Sequence, residues 1–170
     1  MKVCIVGAGA IGGLIGARLA AHTAADVSAL ARGETLEALN ANGWRLRQGD
    51  KLVTGKARAS SVARELGPQD LVVIAVKAPA LATIAAQIGP LLRPDTIVLP
   101  AMNGVPWWFS QGLKGLDEQP LESVDPGGAL SRAIISSNVG RRRTTTQASP
   151  RTRASATRGR ALYCEESAAP

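Results

Sequence analysis

The sequence predicts an α/β fold, a doubly wound and mostly parallel sheet, and three observations carry that expectation. Lys2-Val3-Cys4-Ile5-Val6 is a short, branched apolar run. Its length and composition suit a strand buried on both faces of a parallel sheet. The run breaks at Gly7-Ala8-Gly9-Ala10-Ile11-Gly12, a G-x-G-x-x-G, and an Ala/Leu-rich helical stretch follows at once. Later apolar runs alternate with helical segments, in the order strand, helix, strand, hairpin, strand, helix, strand.

Each glycine of the first turn answers a physical demand. Gly7 allows the tight turn out of the strand, Gly9 lets a pyrophosphate approach the backbone, and Gly12 lets the new helix pack closely on the sheet. The free N–H groups and positive dipole end of that helix then face a bound anion. With a strand before it and a helix after it, the motif reads as a dinucleotide-binding turn.

The remaining elements follow from periodicity. Ile11 to Ala21 has Leu14, Ile15 and Leu19 at helical spacing with Arg18 on the wet side, and His22 is a solvated residue at its end. Asp26 to Arg32 reads as the second strand, ended by Gly33. Glu34 to Asn42 is a short helix with Leu36 and Leu39 inward and Asn42-Gly43 as its stop. Trp44 to Arg47 and Leu52 to Thr54 form a hairpin whose Arg45 and Arg47 are a solvated face. Leu71 to Val76 is the clearest central strand. Pro79 sits in the first turn of a helix reaching about Leu92, with Leu81, Ile84 and Ile88 as its stripe. Thr96 to Leu99 is the next strand and leads into Pro100-Ala101-Met102-Asn103-Gly104. Trp107-Trp108-Phe109 reads as packing.

At 170 residues the chain is expected to form one domain with a real core. Aromatic residues are only 3% of the chain, so the 45% apolar content is mostly aliphatic. The net charge of +7 is concentrated at one end, because residues 141–170 hold seven arginines against two glutamates. It therefore says little about the folded part. Cys4 and Cys164 make neither a disulfide framework nor a metal spacing, so no metal site is expected and a reducing, cytoplasmic setting is. The glycines interrupt the first apolar run, which argues against a signal peptide. Leu71 to Val76 is too short to span a bilayer, so no membrane attachment is expected.

In doubly wound sheets ligands bind beyond the carboxyl ends of the strands, and Arg32, Lys77 and Asn103 each stand at such an end. A site for the unphosphorylated ribose has an acidic residue about 20 positions beyond the glycines. Here that place reads Leu30-Ala31-Arg32-Gly33, and an Arg fork there suits a 2′-phosphate, through charge-assisted bidentate contacts. Lys77 fits either a solvated strand terminus or a ligand-facing cation. Asn103 before Gly104 fits either a turn residue or an amide contact to substrate or nicotinamide.

With these residues laid out, the chain resembles the N-terminal half of a ketopantoate reductase (2-dehydropantoate 2-reductase). The likeness rests on Lys2 to Gly13, on Ala31-Arg32-Gly33, on Val76-Lys77-Ala78, on Met102 to Trp108 and on Leu121 to Gly128, and it covers roughly residues 1–134. It implies a Rossmann-type domain that uses NADPH to reduce a 2-oxo acid, ketopantoate, to pantoate on the route to pantothenate. It also implies that Gly7, Ala8, Gly9, Ala10, Ile11 and Gly12 hold the pyrophosphate and Arg32 the 2′-phosphate. Lys77 and Asn103 would lie along the cofactor, with Asn103 also near substrate. The family's general-acid lysine comes from a second, helical domain that has no recognisable counterpart in these 170 residues, so no catalytic residue is assigned.

The resemblance stops near Ile135. Residues 135–170 lack helical or strand periodicity and large apolar groups, so they are expected to form a disordered basic tail, as a truncated or frame-shifted product would. A nucleic-acid arm is the less favoured reading of that tail. Two functions remain in view: an oxidoreductase of this family, incomplete or inactive here, or a non-catalytic NADP-binding remnant.

Overall fold

The computed structural model describes residues 1–109, 121–134 and 139. β1 (Lys2–Val6) is the centre of a five-stranded parallel sheet, flanked by the other apolar runs. The order is β5 (Arg58–Ser60), β2 (Asp26–Leu30), β1, β6 (Leu71–Ile74) and β7 (Ile97–Pro100). In the ladder Val3 lies opposite Val27 and Leu71, and Val6 opposite Leu30 and Ile74. Val3, Cys4, Ile5 and Val6 have no exposed surface. The strand order reverses between β1 and β6, which places a crevice at their carboxyl ends.

Alternation along β1 divides the core between two faces. Val3 and Ile5 join Val27, Ala29, Leu39 and Trp44 on one. Cys4 and Val6 join Val72, Ile74, Leu81, Ile88 and Trp107 on the other. The first face is covered by α1 (Ala10–His22), α2 (Gly33–Asn42) and an antiparallel hairpin of β3 (Trp44–Gln48) and β4 (Lys51–Gly55). α3 (Ala63–Leu66), α4 (Leu81–Gln87) and α5 (Ala129–Ala133) contribute to the second.

The face that α1 buries consists of Gly12, Gly16 and Ala17, while Ile11 and Leu14 are 54% and 37% exposed. Small residues let the helix approach closely: a Cβ on Gly16 would enter the Trp44 ring, and one on Gly55 would lie 2.6 Å from the Ala20 Cβ. Trp44 Nε1 donates to the Val27 carbonyl at 3.2 Å, which fastens the hairpin to the sheet.

Several boundaries differ from the sequence-based expectation. β2 ends at Leu30, so Arg32 is the N-cap of α2 and not a strand residue. β6 ends at Ile74, two residues early. The helix expected from Pro79 to Leu92 is divided into a 3-10 turn (Ala78–Ala80), α4 and a second 3-10 turn (Gly89–Leu91). Pro90 accounts for the second break, because it cannot donate to a helical hydrogen bond. β5 and α3 were not anticipated.

Arg18, His22, Arg45 and Arg47 are exposed, as expected. Trp107 is buried and meets Trp108 edge to face at 4.4 Å, consistent with packing, while Phe109 is half exposed. Val139 bridges to Val98 in parallel, beyond residue 134. The rest of the expected tail lies outside the described residues. Among the described residues no helix is long and apolar enough to cross a membrane.

Candidate functional site

The carboxyl ends of β1, β2 and β6 open onto a cleft of about 190 Å³. Its floor is the turn that leaves β1. Gly7 has φ +89°, and a Cβ there would lie 2.5 Å from Val76 Cγ1. Its N–H donates to the Leu30 carbonyl at 3.1 Å, so the turn is tied to the end of β2. A Cβ on Gly12 would stand 2.9 Å from Ile5 Cγ2, so this glycine permits the helix to sit on the sheet. Gly9 is different: a Cβ built there would meet nothing within 4 Å. The space its missing side chain leaves is open and adjoins the cleft it lines.

Gly9 is also the N-cap of α1, so no side chain caps the helix, and its first turn carries no acidic residue. The first amides of a helix have no intrahelical partners and carry partial positive charge. An unblocked turn, uncapped amides and open space together fit a phosphate group.

The upper rim supplies the charge. Arg32 lines the cleft, is exposed, and makes no ion pair among the described residues. It is the only charged residue in the lining, and no carboxylate accompanies it. Thr35 and Ser61 stand on the same rim, and the opposite wall comes from Val76, Ala80, Thr83, Ile84 and Gln87. The residues present therefore fit a phosphorylated dinucleotide.

The other sequence-derived candidates divide. Ala8 lines the cleft with Gly7 and Gly9, whereas Ala10, Ile11 and Gly12 lie in the first turn of α1 outside the lining. Lys77 is exposed after β6, with its carbonyl accepting from the Ala80 N–H at 2.9 Å. Asn103 is exposed in the loop after β7, just before Gly104 at φ +118°. Both are at the carboxyl edge of the sheet, but neither lines the cleft. Thr35, Ser61, Thr83 and Gln87 were not singled out from the sequence. Only the approach of β2, β5 and α4 gives these ordinary polar residues a common site.

Two titratable groups are perturbed by structure away from the cleft. Burial pushes the Cys4 thiol up to about 11, against smaller opposing effects of Ser28 and the Leu30 backbone. The carboxyl of Asp70 is held below its usual value chiefly by the Lys2 N–H at 2.7 Å, with Arg93 also paired to it. That cluster is at the amino edge of the sheet and ties strand ends together. Among the described residues no group of three His, Cys, Asp or Glu could hold a metal ion.

The family model described as "Ketopantoate reductase PanE/ApbA" matches residues 3–106, which include the glycine turn, Arg32, Lys77 and Asn103. The chain belongs to the ketopantoate reductase family. It is 47% identical over 135 residues to the 2-dehydropantoate 2-reductase of Mesorhizobium japonicum, covering 79% of this chain and 41% of that protein. A solved structure from Ralstonia solanacearum MolK2, described as a ketopantoate reductase, superposes with a TM-score of 0.75 at 51% identity. The match covers 81% of this chain and 42% of that one. A ketopantoate reductase of the PanE/ApbA family from Ralstonia eutropha JMP134 gives a TM-score of 0.56 at 35% identity, over 71% of this chain and 39% of that one. The chain thus spans about two fifths of the relatives it matches.

Proposed function

We propose that this chain is the NADPH-binding part of a 2-oxo-acid reductase that converts ketopantoate to pantoate in the cytoplasm, within pantothenate biosynthesis. The observation that carries this reading is the guanidinium of Arg32, without an ion-pair partner among the described residues, on a cleft whose floor is an uncapped glycine turn. Gly7, Ala8 and Gly9, with the first turn of α1 (Ala10, Ile11, Gly12), hold the pyrophosphate. Arg32 takes the 2′-phosphate through a bidentate charged contact. Lys77 and Asn103, along the same edge, reach the nicotinamide half, and Asn103 offers its amide to the substrate.

NADPH, when bound, supplies the hydride. The chain's own residues bind and orient it, which is only part of catalysis. The alkoxide that forms needs a proton, and a placed general acid contributes about 10² to 10⁴-fold in rate. None of the residues lining the cleft is such an acid, and His22 lies at the far end of α1. This supports a second reading, that these 170 residues alone bind the cofactor without turning it over. The test is loss of NADPH absorbance with ketopantoate and the purified chain. We expect negligible turnover; a rate near that of an intact reductase would mean that Lys77 carries the proton.

A further inference from the structure

The cleft extends beyond what phosphate groups need, and its far wall has a chemical pattern of its own. Ala80, Thr83, Ile84 and Gln87 follow i, i+3, i+4, i+7 spacing along α4 and its N-cap, so one helix face forms the wall. Leu30 and Ala31 lie on the β2 side, and Val76 and Ile84 on the other, so apolar side chains line both sides of the cleft. The polar side chains of the lining are Arg32, Thr35, Ser61, Thr83 and Gln87. Gln87 and Thr83 stand on α4 and Ser61 directly after β5; all three are exposed, and their side chains make no hydrogen bond among the described residues.

We propose that Gln87, with Ser61 across the cleft, reads the hydrogen-bonding edge of the cofactor's purine and selects adenine. The inference rests on the dinucleotide reading above and adds to it a residue that determines base specificity. A carboxamide has one acceptor and a donor pair on neighbouring atoms. It can accept from the N6 amino group of adenine while donating to N7, the bidentate match of Gln to that base. Hypoxanthine has an oxygen in place of the amino group, so O6 and N7 are both acceptors. Against that edge Gln87 keeps one bond and turns its own oxygen towards another oxygen. An arginine at the same place carries two donors and matches O6 and N7 together.

The test compares binding of NADPH and its hypoxanthine analogue, reduced nicotinamide hypoxanthine dinucleotide phosphate, to the full 170-residue chain by nucleotide fluorescence. NADH is included as a third ligand. The parent chain should prefer adenine by about fivefold to tenfold, the low end for a bidentate pair because Gln87 is solvent-exposed. Gln87→Ala should abolish that preference but keep the preference for NADPH over NADH, which belongs to Arg32 and also shows that the cleft is folded. Gln87→Arg should reverse the base preference. Equal binding of the two bases by the parent, with NADPH still preferred over NADH, overturns this inference alone. Failure of the parent to bind any of the three overturns the dinucleotide reading and this one with it. A base preference that survives both substitutions moves the contact to Ser61 or Thr83 and rejects Gln87.

Discussion

In the proposed function cofactor choice depends on a single side chain, Arg32, and its setting explains why it could act alone. It is the N-cap of α2 and exposed, and among the described residues it has no carboxylate partner and the cleft lining holds no other charge. Arg32→Asp removes the phosphate partner and adds a like charge. The ratio of NADH to NADPH dissociation constants should fall by about tenfold or more, the scale of one charge-assisted contact. An unchanged ratio in titrations of the two proteins would exclude Arg32 from the phosphate site. Cys4 is the opposite case, a group made inert by its position in the central strand. Its thiol is displaced from 9.0 to about 11 by burial, so folding favours the protonated form. The unfolded chain loses that proton first as pH rises, and stability must therefore fall between about pH 9 and 11. In a Cys164→Ser background Cys4 should react with a disulfide reagent at pH 8 only after denaturant is added. Rapid reaction of the native protein would contradict its burial.

At the scale of elements, the contact between α1 and the hairpin holds the glycine turn in place from behind. Gly16 faces the Trp44 ring with no room for a side chain, whereas a Cβ on Gly13 would meet only the Ala8 carbonyl at 3.6 Å. Gly16→Leu should overpack this contact, cost about 1–3 kcal/mol and lower Tm by several degrees. Gly13→Ala should be neutral or stabilising by up to about 1 kcal/mol, because it removes a glycine from a helix interior. Equal Tm values for the two variants would show that the close approach at Gly16 is not what seats the helix. The same contact shows where periodicity misleads. A helix that packs through Gly12, Gly16 and Ala17 keeps Ile15 and Leu19 only partly buried against the core and leaves Ile11 and Leu14 outside, so the apolar stripe marks the buried face only in part.

Over the whole molecule, β1 and β6 were legible as apolar runs that a parallel sheet buries on both faces, and β2 and β7 as shorter, partly apolar runs, although Leu99 of β7 is 45% exposed. β5 was not, since Arg58-Ala59-Ser60 is three residues long and has no period to detect. The site divides in the same way. The glycine turn and Arg32 have fixed spacing along the chain and could be read from it. Thr35, Ser61, Thr83 and Gln87 are common surface residues, and the parallel crossover topology alone assembles them into a wall. That topology also leaves Lys77 and Asn103 beside the cleft and not within its lining, a distinction no spacing rule contains.

The claim that the cleft takes the phosphorylated cofactor is tested most directly by thermal unfolding of the 170-residue chain with NADPH and with NADH at matched concentrations. A ligand that binds only the folded state adds about 2.7 kcal/mol of stability at 100 times its dissociation constant. NADPH is predicted to raise Tm by more than NADH does, with the difference lost in Arg32→Asp. Equal shifts from the two cofactors, or no shift from either, would contradict the account.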